Sequence, residues 1–190
     1  MRKIYIALLT VGVLAGAPWA VTHAIFSDSE AIDANTFTVG SVDISTDPTT
    51  ALVTYSAMLP GDVTTAALDV SNDGTLDLRY AISSSATNAD SKGLKDQLVL
   101  TIKSVDATAP ETPCDDFDGT QLYTGDVDSS DGKLVGDSTQ GADSGDRNLV
   151  ASASETLCFR VSLPSGTGNS YQGATTTVTF TFDAEQTDNN

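Results

Sequence analysis

Acidic side chains are the groups with most chemistry to offer in this chain, and one stretch gathers them. Ten acids fall between Glu111 and Asp146, against Lys133 alone, so the stretch attracts cations and repels anions. Within it, Asp126, Asp128, Ser130 and Asp137 stand at positions 1, 3, 5 and 12 of a calcium-loop spacing. Hard cations such as calcium take carboxylate and hydroxyl oxygens at that spacing in an EF-hand. Position 6 is Asp131 where that loop needs Gly, and position 12 is Asp where it needs a bidentate Glu. A solvated acidic loop fits the same residues, and both readings stay open.

Other catalytic machinery lacks its parts. The only histidine, His23, lies in an N-terminal apolar leader. A zinc protease needs three ligands, usually including His, and a general base. Beyond the leader there is no His and no HExxH. Ser-His-Asp and Cys-His arrangements fail for the same reason. Paired carboxylates could serve a glycosidase, yet no pair stands out among so many solvated acids with few aromatics to stack a sugar. The residues point away from an enzyme and leave calcium as the one cofactor in play.

Arg2 and Lys3 precede an apolar run from Ile4 to Val21, and Thr22-His23-Ala24 supplies small residues for a signal peptidase. Residues 1–24 are expected to be a signal peptide cut between Ala24 and Ile25. The alternative is an uncleaved N-terminal anchor; the chain would meet a membrane only through this leader. Loss of Arg2 and Lys3 with no acid takes the formal charge from −17 to −19. So acidic a chain repels phosphate backbones, which excludes nucleic acid as a partner. Cys114 and Cys158 are an even pair in an exported chain, which reads as a disulfide closing a loop of about 45 residues. Two buried thiols or intermolecular bridges are the alternatives.

Period-2 alternation dominates the elements that must position these groups. Phe37, Val39, Val42 and Ile44 predict an early strand with an irregularity at Gly40-Ser41. Leu52–Ala57 is a second candidate. Pro60-Gly61-Asp62 and Asn72-Asp73-Gly74 are turns flanking a strand at Val63–Val70. Leu76, Leu78, Tyr80 and Ile82 predict a strand with one wet face, carrying Asp77, Arg79 and Ala81. Further strands are expected at Leu98–Ile102, Leu157–Leu163 and Val178–Phe182, with a helical turn at Gly93–Leu98. Regularity is lost over 106–149. Seven to nine short strands and no ordinary helix imply an all-β, antiparallel β-sandwich of jelly-roll type over residues 36–185, with a polar tail at 186–190.

The order of motifs then resembles one family. Phe26-Ser27-Asp28, Asn35-Thr36-Phe37 and Val39-Gly40-Ser41-Val42-Asp43-Ile44 are followed by Pro60-Gly61-Asp62, Asn72-Asp73-Gly74 and Leu78-Arg79-Tyr80. Near the end come Leu157-Cys158-Phe159-Arg160-Val161, Tyr171-Gln172-Gly173 and Val178-Thr179-Phe180-Thr181-Phe182. Together they resemble the TasA/camelysin family of secreted surface and biofilm-matrix proteins, over nearly the whole chain. The resemblance implies a jelly-roll subunit of an extracellular fibre, exported through a dedicated SipW-type signal peptidase, with other copies of itself as partners and an accessory matrix protein as another. It also implies that residues 25–35 act as a donor strand for a neighbouring subunit, with Ile25, Phe26, Ala31 and Ile32 as anchors. An extended segment of that kind satisfies the unpaired groups of a sheet edge. The other reading is a monomeric secreted surface protein that binds a partner or calcium through the acidic region.

Overall fold

The computed structural model describes residues 36–105, 114–129 and 131–188. The chain divides into two units, Met1–Thr38 and Val39–Asn190. Of the first, only residues 36–38 are described; they have no regular structure.

The described residues of the second unit are all-β, with nine strands: β1 (Ile44–Asp47), β2 (Val63–Asn72), β3 (Leu78–Ala86), β4 (Val99–Ser104), β5 (Gln121–Asp126), β6 (Lys133–Val135), β7 (Arg147–Leu149), β8 (Ser154–Ser162) and β9 (Val178–Gln186). Its only described helical pieces are short 3-10 turns at Leu94–Asp96 and Asn169–Tyr171. The first of these is the helical turn expected there.

Two antiparallel sheets form a β-sandwich. One runs β1-β2-β8-β4-β5. In the other, β3 is central. It pairs β9 along its whole length, from Leu78↔Gln186 to Ala86↔Val178. β7 and β6 also pair β3, at Leu78–Tyr80 and Ile82–Ser83, so they must lie end to end on the side opposite β9. Alternation supplies the core from both sheets: Leu68 and Val70, Leu78, Tyr80 and Ile82, Leu100 and Ile102, Leu157 and Phe159 are all buried. Rings join the layers, with Phe159 and Phe180 centroids 5.1 Å apart in the edge-to-face geometry aromatic pairs favour.

Several strand expectations need correction. Residues 36–43 form no strand. Their polar groups serve the turn after β2 instead: Ser41 O accepts from Thr75 N (3.0 Å) and Asp43 O from Asp73 N (2.9 Å). Leu52–Ala57 is also irregular; Leu52 and Met58 pack individually on the core. The Asn72–Gly74 turn carries the chain from one sheet to the other, since β2 and β3 belong to different sheets. The outer side of β3 is not wet at Arg79 and Ala81, which are 8% and 4% exposed. Residues 137–146 fold against them: Gly141 N donates to Glu185 Oε1 on the adjoining β9.

Among the described residues, the stretch 106–149 holds three strands, β5 to β7. They are short and rich in polar residues, so period-2 patterning barely registers. One feature of the order bears on the jelly roll. A jelly roll sets its first and last strands side by side, whereas β1 lies beside β2 and β9 has only β3 as a described neighbour.

Candidate functional site

Three regions hold the residues singled out by the sequence. The first is the acidic segment. Asp126 ends β5, and its backbone carbonyl accepts from Tyr123 OH at 2.8 Å. Asp128 takes a hydrogen bond from Lys95 Nζ at 2.7 Å. Asp137 is paired with Lys133, which holds its carboxyl below the usual carboxylate range and raises the lysine. Asp131 is lowered too, first by the Ser129 hydroxyl and then by Lys133 N. These depressed carboxyl groups hold the loop best above the ordinary carboxylate range and release it as pH falls through their folded values. Ser130 lies outside the described residues. Among the described residues, no three His, Cys, Asp or Glu side chains group as a metal would require.

The second region surrounds the disulfide. Cys114 and Cys158 are bonded, with Cα atoms 5.4 Å apart. The bond lays residues 114–117 on the outer side of β4 and β8, where Phe117 is buried. The Arg160 guanidinium lies 3.7 Å from the Phe117 ring centroid and Lys103 Nζ 4.9 Å from it. Lys103 Nζ also donates to Phe117 O at 2.7 Å. Both cations lie within range of the negative ring face. This cation–aromatic seat was not foreseen; an isolated Phe among acids gave no periodic signal.

The third region is the set of chain ends and sheet edges. Phe37 and Val39 are 93% and 92% exposed, a large apolar exposure for adjacent alternating positions. From Gly40 onward the chain is held by its own domain. A Cβ at Gly40 would lie 2.5 Å from the Leu76 side chain, and Ser41 N donates to Thr75 Oγ1 at 2.9 Å. Ala24, Ile25, Phe26, Ala31 and Ile32 lie outside the described residues. Edge strands β1, β6 and β7 are four residues or fewer. β9 is nine residues long.

A polar network braces the interior behind β9. Tyr80 OH donates to Glu155 Oε1 at 2.8 Å, and Arg147 pairs with Glu155. Burial pushes the Tyr80 hydroxyl well up, and the Glu155 carboxylate pushes it further. The Glu155 hydrogen bond raises Arg147. Arg79 pairs with Glu185 across β3 and β9.

Fold and geometry define a disulfide-bonded, acidic β-sandwich. The chain belongs to the family described as camelysin metallo-endopeptidase, whose model matches residues 2–190. That family is one of secreted or surface proteins, and among the described residues no helix is long and apolar enough to cross a membrane. The metal implied by that description finds no fitting donor set among the described residues. Among solved structures, the chain is similar to the ASH/PapD-like domain 7 of human CEP192, at 14% identity, covering 86% of this chain and 96% of that one, with a TM-score of 0.30. No curated protein matches.

Proposed function

We propose that this protein is a secreted structural subunit of an extracellular fibre or biofilm matrix. After cleavage by signal peptidase between Ala24 and Ile25, the new N-terminus adds as a strand to the sheet of the next copy. An accessory matrix protein is a further partner. The observation that carries this reading is the N-terminal approach to the sandwich: residues 36–43 form no strand, and Phe37 and Val39 are almost fully exposed. Membership of the camelysin family fits a secreted matrix protein. A head-to-tail contact does not close on itself and therefore propagates.

Electron microscopy of the chain beginning at Ile25, beside one lacking residues 25–39, tests the reading. Filaments from the first and monomers from the second are expected. Filaments from both would move the contact away from that segment, and monomers from both would sink the fibre.

The second reading, a monomeric surface protein using its acidic segment, draws on Asp126, Asp128 and Asp131 lying close together in the sequence. Asp128 and Asp137 already have lysine partners, and a neighbouring ammonium weakens a carboxylate as a calcium ligand. Calcium is therefore expected to leave the melting temperature unchanged. A clear calcium-dependent rise without filaments would favour the second reading. The proposed role is structural rather than proteolytic, so the purified chain should not cleave casein.

A further inference from the structure

We infer that the acceptor for the incoming strand is the free edge of β9, and that Phe37 and Val39 of a second copy are its anchors. The inference rests on the fibre reading above and names both halves of its contact.

The acceptor follows from the register. Thr87 N donates to Thr177 O and Thr187 N to Asp77 O, so the odd-numbered residues of β9 aim their backbone groups at β3. The N–H and C=O groups of Val178, Phe180 and Phe182 therefore face the other way, where no described strand pairs with them. Proteins usually blunt such an edge with charge, proline, a bulge or brevity. From Thr175 to Phe182 the sequence has no charge and no proline, and the β3–β9 pairing has no register shift. This is also the position beside the last strand that the first strand fills in a jelly roll.

The donor matches it. Ala34 to Val39 carries no charge, whereas Asp28, Glu30 and Asp33 lie upstream. In a chain of net charge −17, two uncharged segments avoid the repulsion that other surfaces would meet. Phe37 and Val39 alternate with Thr36 and Thr38, as Phe180 and Phe182 alternate with Thr179 and Thr181. Side chains of a paired strand extend the two faces of its neighbour. Phe37 and Val39 would thus continue the apolar inner face where Phe180 and Phe182 remain partly exposed, and the threonines would continue the outer one.

The test uses the chain beginning at Ile25 and two double variants, Thr179→Asp with Thr181→Asp, and Phe37→Ser with Val39→Ser. All four positions are exposed, so melting temperatures should match the parent. Filaments are read by microscopy. A labelled peptide of residues 34–42 is titrated by fluorescence anisotropy. Filaments from the parent, none from either variant, and discrete heterodimers from the two mixed would support the inference. The β9 variant should also lose about tenfold or more in peptide affinity. Filaments from the β9 variant would overturn the edge assignment while leaving the fibre intact. Filaments from the Phe37/Val39 variant would overturn the anchors. If the parent forms no filaments, peptide binding that depends on β9 upholds the pairing and sinks the fibre. No binding and no filaments overturns both, as when the chain's own N-terminus covers β9.

Discussion

Replacing both Cys114 and Cys158 with serine is expected to destabilise the domain by about 4 kcal/mol and to lower its melting temperature by about 10 °C. The bonded residues are 44 apart in sequence, and the chain between them includes β5 to β7. Without the bond, the unfolded chain regains the freedom of that loop. The folded state loses something as well. Cys114 and Phe117 have φ of 77° and 54°, left-handed conformations that cost a side-chain-bearing residue of the order of 1 kcal/mol each. The bond offsets that strain and keeps Phe117 against Arg160 and Lys103. Phe117→Ala with the bond intact should therefore cost less than the double serine variant. Thermal melts of oxidised and reduced protein, followed by circular dichroism, check this. Identical melts would mean that the loop is held by other contacts.

Asn72→Leu is expected to cost about 3 kcal/mol, because it strips the Asn72 partner from two buried backbone groups and one partly buried one. Asn72 is 1% exposed. Its Nδ2 donates to Leu76 O at 2.9 Å and Leu149 O at 3.1 Å, and its Oδ1 accepts from Gly74 N at 3.0 Å. One side chain thus joins the end of β2, the crossing between sheets and the end of β7. Leucine fills the volume and supplies none of these bonds. Asn72→Asp separates shape from chemistry. It keeps the acceptor for Gly74 but sets a carboxylate against two carbonyl oxygens. Its folded pKa should rise above the unfolded value, since burial and those oxygens disfavour the charge. The penalty should then be largest at neutral pH and shrink as pH falls through the raised value. Urea melts at several pH values measure it. A loss independent of pH would contradict the proposed geometry.

Alternation made the long strands legible. Leu100 with Ile102, Leu157 with Phe159, and Val178 with Phe180 and Phe182 each declare a buried face over enough residues to be read. Sheet membership was not legible, because Asn72-Asp73-Gly74 has the composition of a hairpin turn yet crosses between layers. Its clue is Asn72 itself, a residue whose amide can bridge two backbones. β6 and β7, three residues each, are too short to show a period. Phe37 and Val39 alternate like a strand but lie outside the described sheets: pattern records the preference for a pleated surface, not whose surface supplies it. The disulfide was legible from an even pair of cysteines behind an apolar leader that reads as an export signal. Its cation–aromatic seat was not, since Lys103, Phe117 and Arg160 meet only after three distant segments are folded.

The placement of most of the basic residues beyond the leader has a bearing on resistance to proteases. Arg79, Lys103, Lys133, Arg147 and Arg160 all sit within strands, their heads tied to carboxylates, a threonine hydroxyl or an aromatic ring. Enzymes that digest chains at basic residues must first draw an extended stretch of backbone into their cleft, and a hydrogen-bonded ladder does not yield one without local opening. Cleavage at these five positions is therefore limited by how often the sandwich opens, which leaves Lys92 and Lys95, in the stretch between β3 and β4, as the described sites that trypsin-like enzymes reach first.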